Sequence, residues 1–208
     1  MILLIVIAVT ALTLIVIGYW WRYRSLACPA SFSWLLENPY MNAVAGPDKL
    51  LQRLHLEEGM KLLDVGSGPG RLALPAAKKV GSSGEVVALD IQPAMLEKLN
   101  RRAEAMGIGN IRLLNAAAGS GRTEREYFDR ALLVTVLGET PNKHEALTEI
   151  YNALKSGGIL SVTEVIPDPH YTSQKKVRAL CLEAGFEEMD FFGDWGAFSI
   201  NFIKPAND

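Results

Sequence analysis

The chain has 208 residues, 21 of them basic and 23 acidic, for a formal net charge of −2. That length suffices for one domain with a full core and a short appendage, and the near-neutral balance excludes the basic stripe of a nucleic-acid binder. Two cysteines far apart in sequence, Cys28 and Cys181, exclude a disulfide framework or a cysteine metal site. The first element in chain order is an uncharged run from Ile2 to Trp21. Twenty helical residues span roughly 30 Å, the thickness of a bilayer core. Trp20, Trp21 and Tyr23 then stand where an aromatic belt would, beside Arg22 and Arg24. A cleaved signal peptide is the alternative. The run is long for one, no basic residue precedes it, and arginines follow it directly. Ser25-Leu26-Ala27-Cys28 is a poor lipobox, because serine stands where an aliphatic residue is wanted. The expectation is a retained single-span anchor over 1–24, with the arginines holding the rest of the chain on the cytoplasmic side.

Residues 25–58 read as a helical connecting or lid region. Trp34, Leu35 and Leu36, and then Leu50, Leu51 and Leu54, mark two short amphipathic helices separated by a proline break at Glu37-Asn38-Pro39-Tyr40. From residue 59 onward the pattern alternates regularly. Short apolar runs at 61–65, 85–90, 110–115, 131–137 and 159–163 read as strands. Amphipathic segments at 71–80, 93–106, 141–154 and 172–184 read as helices. Cys181 sits in the last of these as a small core residue. Gly81-Ser82-Ser83-Gly84 and Ser156-Gly157-Gly158 are turns. Two final strands, near 188–192 and 198–202, form a hairpin. The expected fold is therefore α/β: a seven-stranded, mostly parallel, doubly wound sheet with a C-terminal antiparallel hairpin, preceded by one transmembrane helix.

Ligands of such sheets bind beyond the carboxyl ends of the strands. Asp64-Val65-Gly66-Ser67-Gly68-Pro69-Gly70-Arg71 ends the first strand there. Glycines allow a tight turn and let backbone N–H groups approach a ligand. Asp90 ends the second strand some 20 residues on, where a carboxylate can accept ribose hydroxyls. A dinucleotide fingerprint needs a third glycine where Arg71 stands. The spacing thus favours S-adenosylmethionine, a nucleoside without a pyrophosphate, over NAD.

At these residues the chain resembles the class I S-adenosylmethionine-dependent methyltransferases. The run 64–70 is similar to their first motif, Val86–Ile91 to their next, Phe128–Leu133 to their fourth-strand motif, and Leu154–Leu160 to their glycine turn into the fifth strand. The resemblance covers roughly 48–204 and implies a cofactor-binding domain over 59–208. It implies that Asp64, Gly66, Ser67, Gly68 and Gly70 face the methionine part, that Asp90 takes the ribose, and that Ile91 lies against adenine. Asn115, Leu133 and the backbone of Ala116 and Ala117 complete the implied set. The chain departs from the family after the third strand, where Asn115-Ala116-Ala117-Ala118 lacks the usual acid.

Methyl transfer is an in-line displacement governed largely by positioning. The candidate catalytic residues are Glu164, His170 and Glu139, at the ends of the fourth and fifth strands. His170 suits proton transfer, or is an exposed loop histidine; Glu139 is a base, or starts a helix. Thr135 and Tyr171 lie nearby, and Tyr40 and Asn38 belong to a lid or to the core. The lid would hang directly from the membrane anchor, so the expected acceptor is lipid-borne or strongly apolar: a phospholipid amine, a quinone-type ring, or a small thiol or phenol. Rival readings are a membrane-tethered, non-catalytic cofactor-binding subunit and a nicotinamide-dependent oxidoreductase. Arg71 and the absence of a Tyr-x-x-x-Lys pair weigh against the latter.

Overall fold

The computed structural model describes residues 39–206, together with Thr10 and Thr13. The expected membrane span at 2–21, its flanking aromatics and arginines, the Trp34–Leu36 helix and Asn38 lie outside the described residues. Among the described residues, no helix is long and apolar enough to cross a membrane.

Two short helices lead in, α1 (Pro39–Ala45) and α2 (Pro47–Arg53). The expected proline break is instead a helix start, because a proline at the first helical position sacrifices no hydrogen bond and already has the helical φ. Leu50, Leu51 and Leu54 are buried, as their spacing predicts. The sheet follows: β1 (Lys61–Val65), α3 (Ala73–Val80), β2 (Glu85–Asp90), α4 (Pro93–Ala105), β3 (Ile111–Asn115), β4 (Phe128–Val134), α5 (Lys143–Ala153), β5 (Leu154–Val165), α6 (Gln174–Glu183), β6 (Glu187–Gly193) and β7 (Ala197–Ile203).

The seven strands lie in the order β3-β2-β1-β4-β5-β7-β6. The first five are parallel. β7 runs antiparallel between β5 and β6, so the terminal hairpin adds two strands at one edge. The winding reverses between β1 and β4, and a crevice opens at their carboxyl ends. Each face of the sheet carries its own core. Leu62, Val86 and Leu132 pack against Leu50, Ala73, Ala76 and Leu99 on one side. Leu63, Leu133, Leu160 and Val162 pack against Leu147, Ile150, Val177 and Phe186 on the other. Cys181 is wholly buried there, and burial pushes its thiol up to about 12. Strands buried on both faces read as continuous apolar runs, which is why their existence is visible in sequence and their ends are not.

Three boundaries move for identifiable reasons. β4 spans 128–134 rather than 131–137, because Phe128 is buried in the core while the chain leaves the sheet at Thr135, with φ +55°. β5 begins at Leu154 and runs through the expected glycine turn, because Gly157 N–H donates to Lys204 O (2.9 Å) and Lys204 N–H to Gly158 O (2.9 Å). A register shift opposite, between Phe128 and Arg130, absorbs the extra residues. α3 starts at Ala73, not Arg71, leaving Arg71 and Leu72 in the turn that follows the glycine loop.

Candidate cofactor cleft and its rim

The cleft is the space above β1 and β4, bounded by Asp64, the glycine loop, Arg71, Leu72, Val134, Thr135 and Met41 of α1. Its floor is pinned to the neighbouring strand: Gly66 N–H and Ser67 N–H both donate to Leu89 O, at 2.8 and 3.0 Å. Gly66 has φ +72°, and a Cβ there would lie 2.3 Å from Val136 Cγ2. Gly70 has φ +89°, and a Cβ there would come within 2.8 Å of Leu99 Cγ on α4. Gly70 thus supplies the close helix approach that a dinucleotide fold assigns to a glycine one place later, and Arg71 is released for another use.

Asp90 is 6% exposed. Its Oδ2 accepts Gly68 N–H and its Oδ1 accepts Gln92 N–H, each at 2.8 Å. One carboxylate therefore clamps the glycine loop to the turn after β2. Burial raises its pKa, against the two N–H bonds. Asn115 Nδ2 donates to Asp90 O (2.9 Å) and Ile91 O (3.1 Å), fixing the same turn from β3. Ala116 N–H donates to Asp90 O at 3.2 Å. The Ile91 side chain is left 58% exposed, an apolar platform at the rim. A purine face has a surface to lie on, and Asn115 acts by holding that surface in place.

Asp64 is 2% exposed, and its Oδ2 has no hydrogen-bond partner. Burial pushes its pKa up to about 7; Arg71 opposes the rise and the Asp90 charge adds to it. A buried carboxyl with an unused oxygen, lining a cleft, is where an ammonium group fits. Arg71 Nη1 donates to Ala45 O at 2.7 Å, joining the loop to the end of α1. At its other end α1 is tied by Tyr40, whose hydroxyl donates to Ile166 O at 2.9 Å. The side-chain chemistry thus fits S-adenosylmethionine: an acid for its amino group, an acid for its ribose, and an apolar ledge for its base.

A methyltransferase-domain family model matches residues 56–190. This chain belongs to the class I S-adenosylmethionine-dependent methyltransferases. Among curated relatives, a ubiquinone/menaquinone biosynthesis C-methyltransferase UbiE of Edwardsiella ictaluri is 34% identical over 110 residues, 52% of this chain and 44% of that protein. A demethylmenaquinone methyltransferase of Geobacillus kaustophilus is 29% identical over 112 residues, 54% of this chain and 48% of that one. The chain matches about half the length of these relatives or less. A SAM-dependent methyltransferase from Aquifex aeolicus superposes with a TM-score of 0.79 at 22% identity, over 86% of this chain and 100% of that one. The [4+2]-cyclase SpnF gives 0.70 at 20%, over 77% of this chain and 80% of that one. Both likenesses are of fold alone, and a cyclase carrying the same fold shows why reaction type must be argued from the site.

Within this methyltransferase, the loop residues Asp64, Gly66, Ser67 and Gly68 line the cleft, and Gly70 supports it from beneath. Leu133 does not line it. It is 1% exposed and packs into the core on the α5/α6 side; alternation along β4 turns Val134 to the cleft instead, and Thr135 reaches it because the chain has left the sheet there with a positive φ. Met41, Leu72 and Val134 are lining residues that sequence reasoning missed, and nothing local marks a methionine 23 positions before Asp64 as its neighbour.

Glu164, Glu139 and His170 lie near the carboxyl ends of β4 and β5, with Glu139 close enough to act on Glu164 and the His170 backbone against Gly138, but none of the three lines the cleft. Glu164 is 1% exposed. Its Oε2 accepts Thr172 N–H at 3.1 Å, and its Oε1 has no partner. Burial pushes its pKa up to about 8; the Thr172 N–H and the Lys143 charge oppose this, and Asp168 and Glu139 add to it. His170 is 8% exposed, not the open loop residue considered above. Its backbone N–H donates to Asp168 Oδ1 at 2.6 Å, and its backbone carbonyl packs so closely on Gly138 that a Cβ there would overlap it.

Proposed function

We propose that this methyltransferase acts on a hydrophobic, ring-bearing acceptor of quinone type, delivered from a membrane surface. The observation that carries this reading is the lid. α1 brings Met41 into the cleft beside the apolar Leu72 and Val134, so the acceptor side is roofed by hydrocarbon. The names of the relatives, C-methyltransferases of quinone biosynthesis, point the same way.

Bound S-adenosylmethionine supplies an electrophilic methyl on its sulfonium. The chain's own residues do the rest. Asp64 accepts the amino group, Asp90 the ribose hydroxyls, and Ile91 supports adenine. Met41, Leu72 and Val134 keep water from the line of attack, which must be straight for displacement. We assign proton acceptance from the acceptor's ring hydroxyl to Glu164. With a pKa near 8, Glu164 holds its proton through most of the neutral range. Proton acceptance therefore falls to the ionised form, which becomes the major one above about pH 8 and is then better matched to a phenolic proton near 10 than an ordinary carboxylate. Its unpartnered Oε1 is the atom that would take the proton. His170 and Glu139 hold its surroundings.

The uncharged run 2–21 serves as the anchor, with Arg22 and Arg24 on the cytoplasmic side. In sequence, residues 25–38 separate the anchor segment 1–24 from the helix that begins at Pro39. The test removes residues 1–24 and supplies demethylmenaquinone either in vesicles or in detergent. Turnover should fall in vesicles and persist in detergent. Unchanged vesicle activity would refute membrane delivery. Cofactor binding without label transfer to any quinone precursor would favour the non-catalytic reading, which the missing acid near Ala117 leaves open.

A further inference from the structure

We infer that the turn carrying Trp195 and the start of α1 carrying Tyr40 form an interfacial rim that rests on a phospholipid bilayer and turns the mouth of the cleft towards it. The inference rests on the reading of 1–24 as a membrane anchor.

The two aromatic side chains come from distant parts of the chain to one end of the sheet. β7 is antiparallel to β5, with Ala197 opposite Val165. The turn at 194–196 therefore stands at the carboxyl end of the parallel strands, where the cleft opens. Tyr40 reaches the same place: its hydroxyl donates to Ile166 O at 2.9 Å, and Ile166 N–H donates to Gly196 O at 2.7 Å. One residue after β5 thus ties the start of α1 to the Trp195 turn. Met41, the next residue of α1, lines the cleft, so the rim adjoins its mouth.

A single exposed apolar side chain needs no explanation. Trp195 differs because its turn is fixed. The Tyr171 hydroxyl donates to Trp195 O, and Gln174 Nε2 donates to Asp194 O at 2.8 Å. Asp194 Oδ1 accepts Gly196 N–H and Ala197 N–H at 2.8 and 3.1 Å. Ordering a turn costs conformational entropy, yet the indole it presents is 77% exposed, and Tyr40 is 49% exposed. Tryptophan and tyrosine combine an apolar body with a polar atom, which suits them to the boundary between headgroups and acyl chains. Lys175 and Lys176, exposed on the first turn of α6 at the same end, can meet lipid phosphates while their stems lie along apolar surface. The tether limits the distance involved. Fully extended, residues 25–38 span no more than about 50 Å, so an anchored chain keeps Pro39 and Tyr40 within that reach of the bilayer. An apolar acceptor can then pass from lipid to cleft along the rim without crossing bulk water.

The test uses full-length chains with one tryptophan each, reconstituted in phosphatidylcholine vesicles whose acyl chains carry bromine as a quencher. The chain has four tryptophans. Trp20→Phe, Trp21→Phe and Trp34→Phe leave Trp195 as the probe. Adding Trp195→Phe and Met106→Trp moves the probe to the far end of the sheet, where Met106 caps α4 and is 48% exposed. Brominated lipid should quench Trp195 about threefold or more above the Met106→Trp probe, as an interfacial indole requires. In the otherwise native chain, Trp195→Ser should lower turnover of vesicle-borne demethylmenaquinone by about threefold, from the lost interfacial contact, and leave turnover in detergent unchanged. Equal quenching of the two probes in vesicle-bound protein would overturn the inference and leave the anchor standing. An equal loss of turnover in vesicles and detergent would make Trp195 a structural residue and overturn it too. Protein that fails to float with vesicles at all would overturn the anchor reading, and the rim with it.

Discussion

Asp90→Asn tests the centre of the cofactor site with almost no change in shape. In the native protein the carboxylate accepts two backbone N–H groups at 2.8 Å, one from Gly68 and one from Gln92. An amide has one accepting oxygen, so one N–H would face an NH2 group. Hydrogen bonds to a charged acceptor contribute about 1.5–3 kcal/mol each. Losing one should lower the melting temperature by several degrees, at about 2–4 °C per kcal/mol for a chain of this size. Binding loses more, because the ribose hydroxyls need the same charge. With the loop loosened and one ribose bond weakened, about 3 kcal/mol is a reasonable sum, which is roughly a hundredfold in affinity. Calorimetric titration with adenosine alongside S-adenosylhomocysteine locates the loss. Adenosine keeps the ribose, so its affinity should fall in parallel. A variant that binds both ligands within threefold of the wild type would show that Asp90 only braces the loop.

Three further outcomes follow from the same geometry. Gly66→Ala should destabilise by about 2–4 kcal/mol, from a left-handed backbone and the overlap with Val136; adding Val136→Ala should restore only the overlap part, as thermal unfolding of the three proteins would show. Glu164 has a folded pKa near 8 against an ordinary 4.5, so the folded protein binds the extra proton. Its stabilising contribution is complete below about pH 4.5 and is lost as pH rises towards 8. The wild type should therefore melt at lower temperature at pH 8 than at pH 6, and Glu164→Gln should flatten that slope; a parallel slope in the variant would remove Glu164 as its source. Asp64 sits near pH 7 without a partner for its second oxygen. An ammonium bound beside it favours the carboxylate, so S-adenosylhomocysteine affinity should rise between about pH 5.5 and 7, and Asp64→Asn should abolish the rise.

Much of this protein is written locally. Alternating apolar runs and amphipathic segments set the order of strands and helices, because burial on both faces of a parallel sheet leaves a continuous signature. Gly66, Gly68, Gly70 and Asp90 mark the cofactor site for a similar reason: a positive φ, a close backbone approach and a carboxylate at a strand end are demands that few residue types meet. The departures lie where partners come from elsewhere in the chain. Leu133 reads as a cleft residue beside Thr135, yet only the twist and pairing of β4 decide which alternate side chain turns inward. The glycines at 157–158 read as a turn, but the backbone of Lys204 draws them into β5. Met41 enters the cleft from a helix whose seat depends on Arg71 and Ile166, contacts 26 and 126 residues away in sequence from their partners. The sequence by itself determined the fold class, the cofactor and the glycine loop that opens the cleft, because each rests on backbone geometry or period. Tertiary structure decided the roof of the cleft, the burial of Glu164 and the bond of Arg71 to Ala45 O, because long-range packing sets a side chain's neighbours, its solvent and therefore its charge.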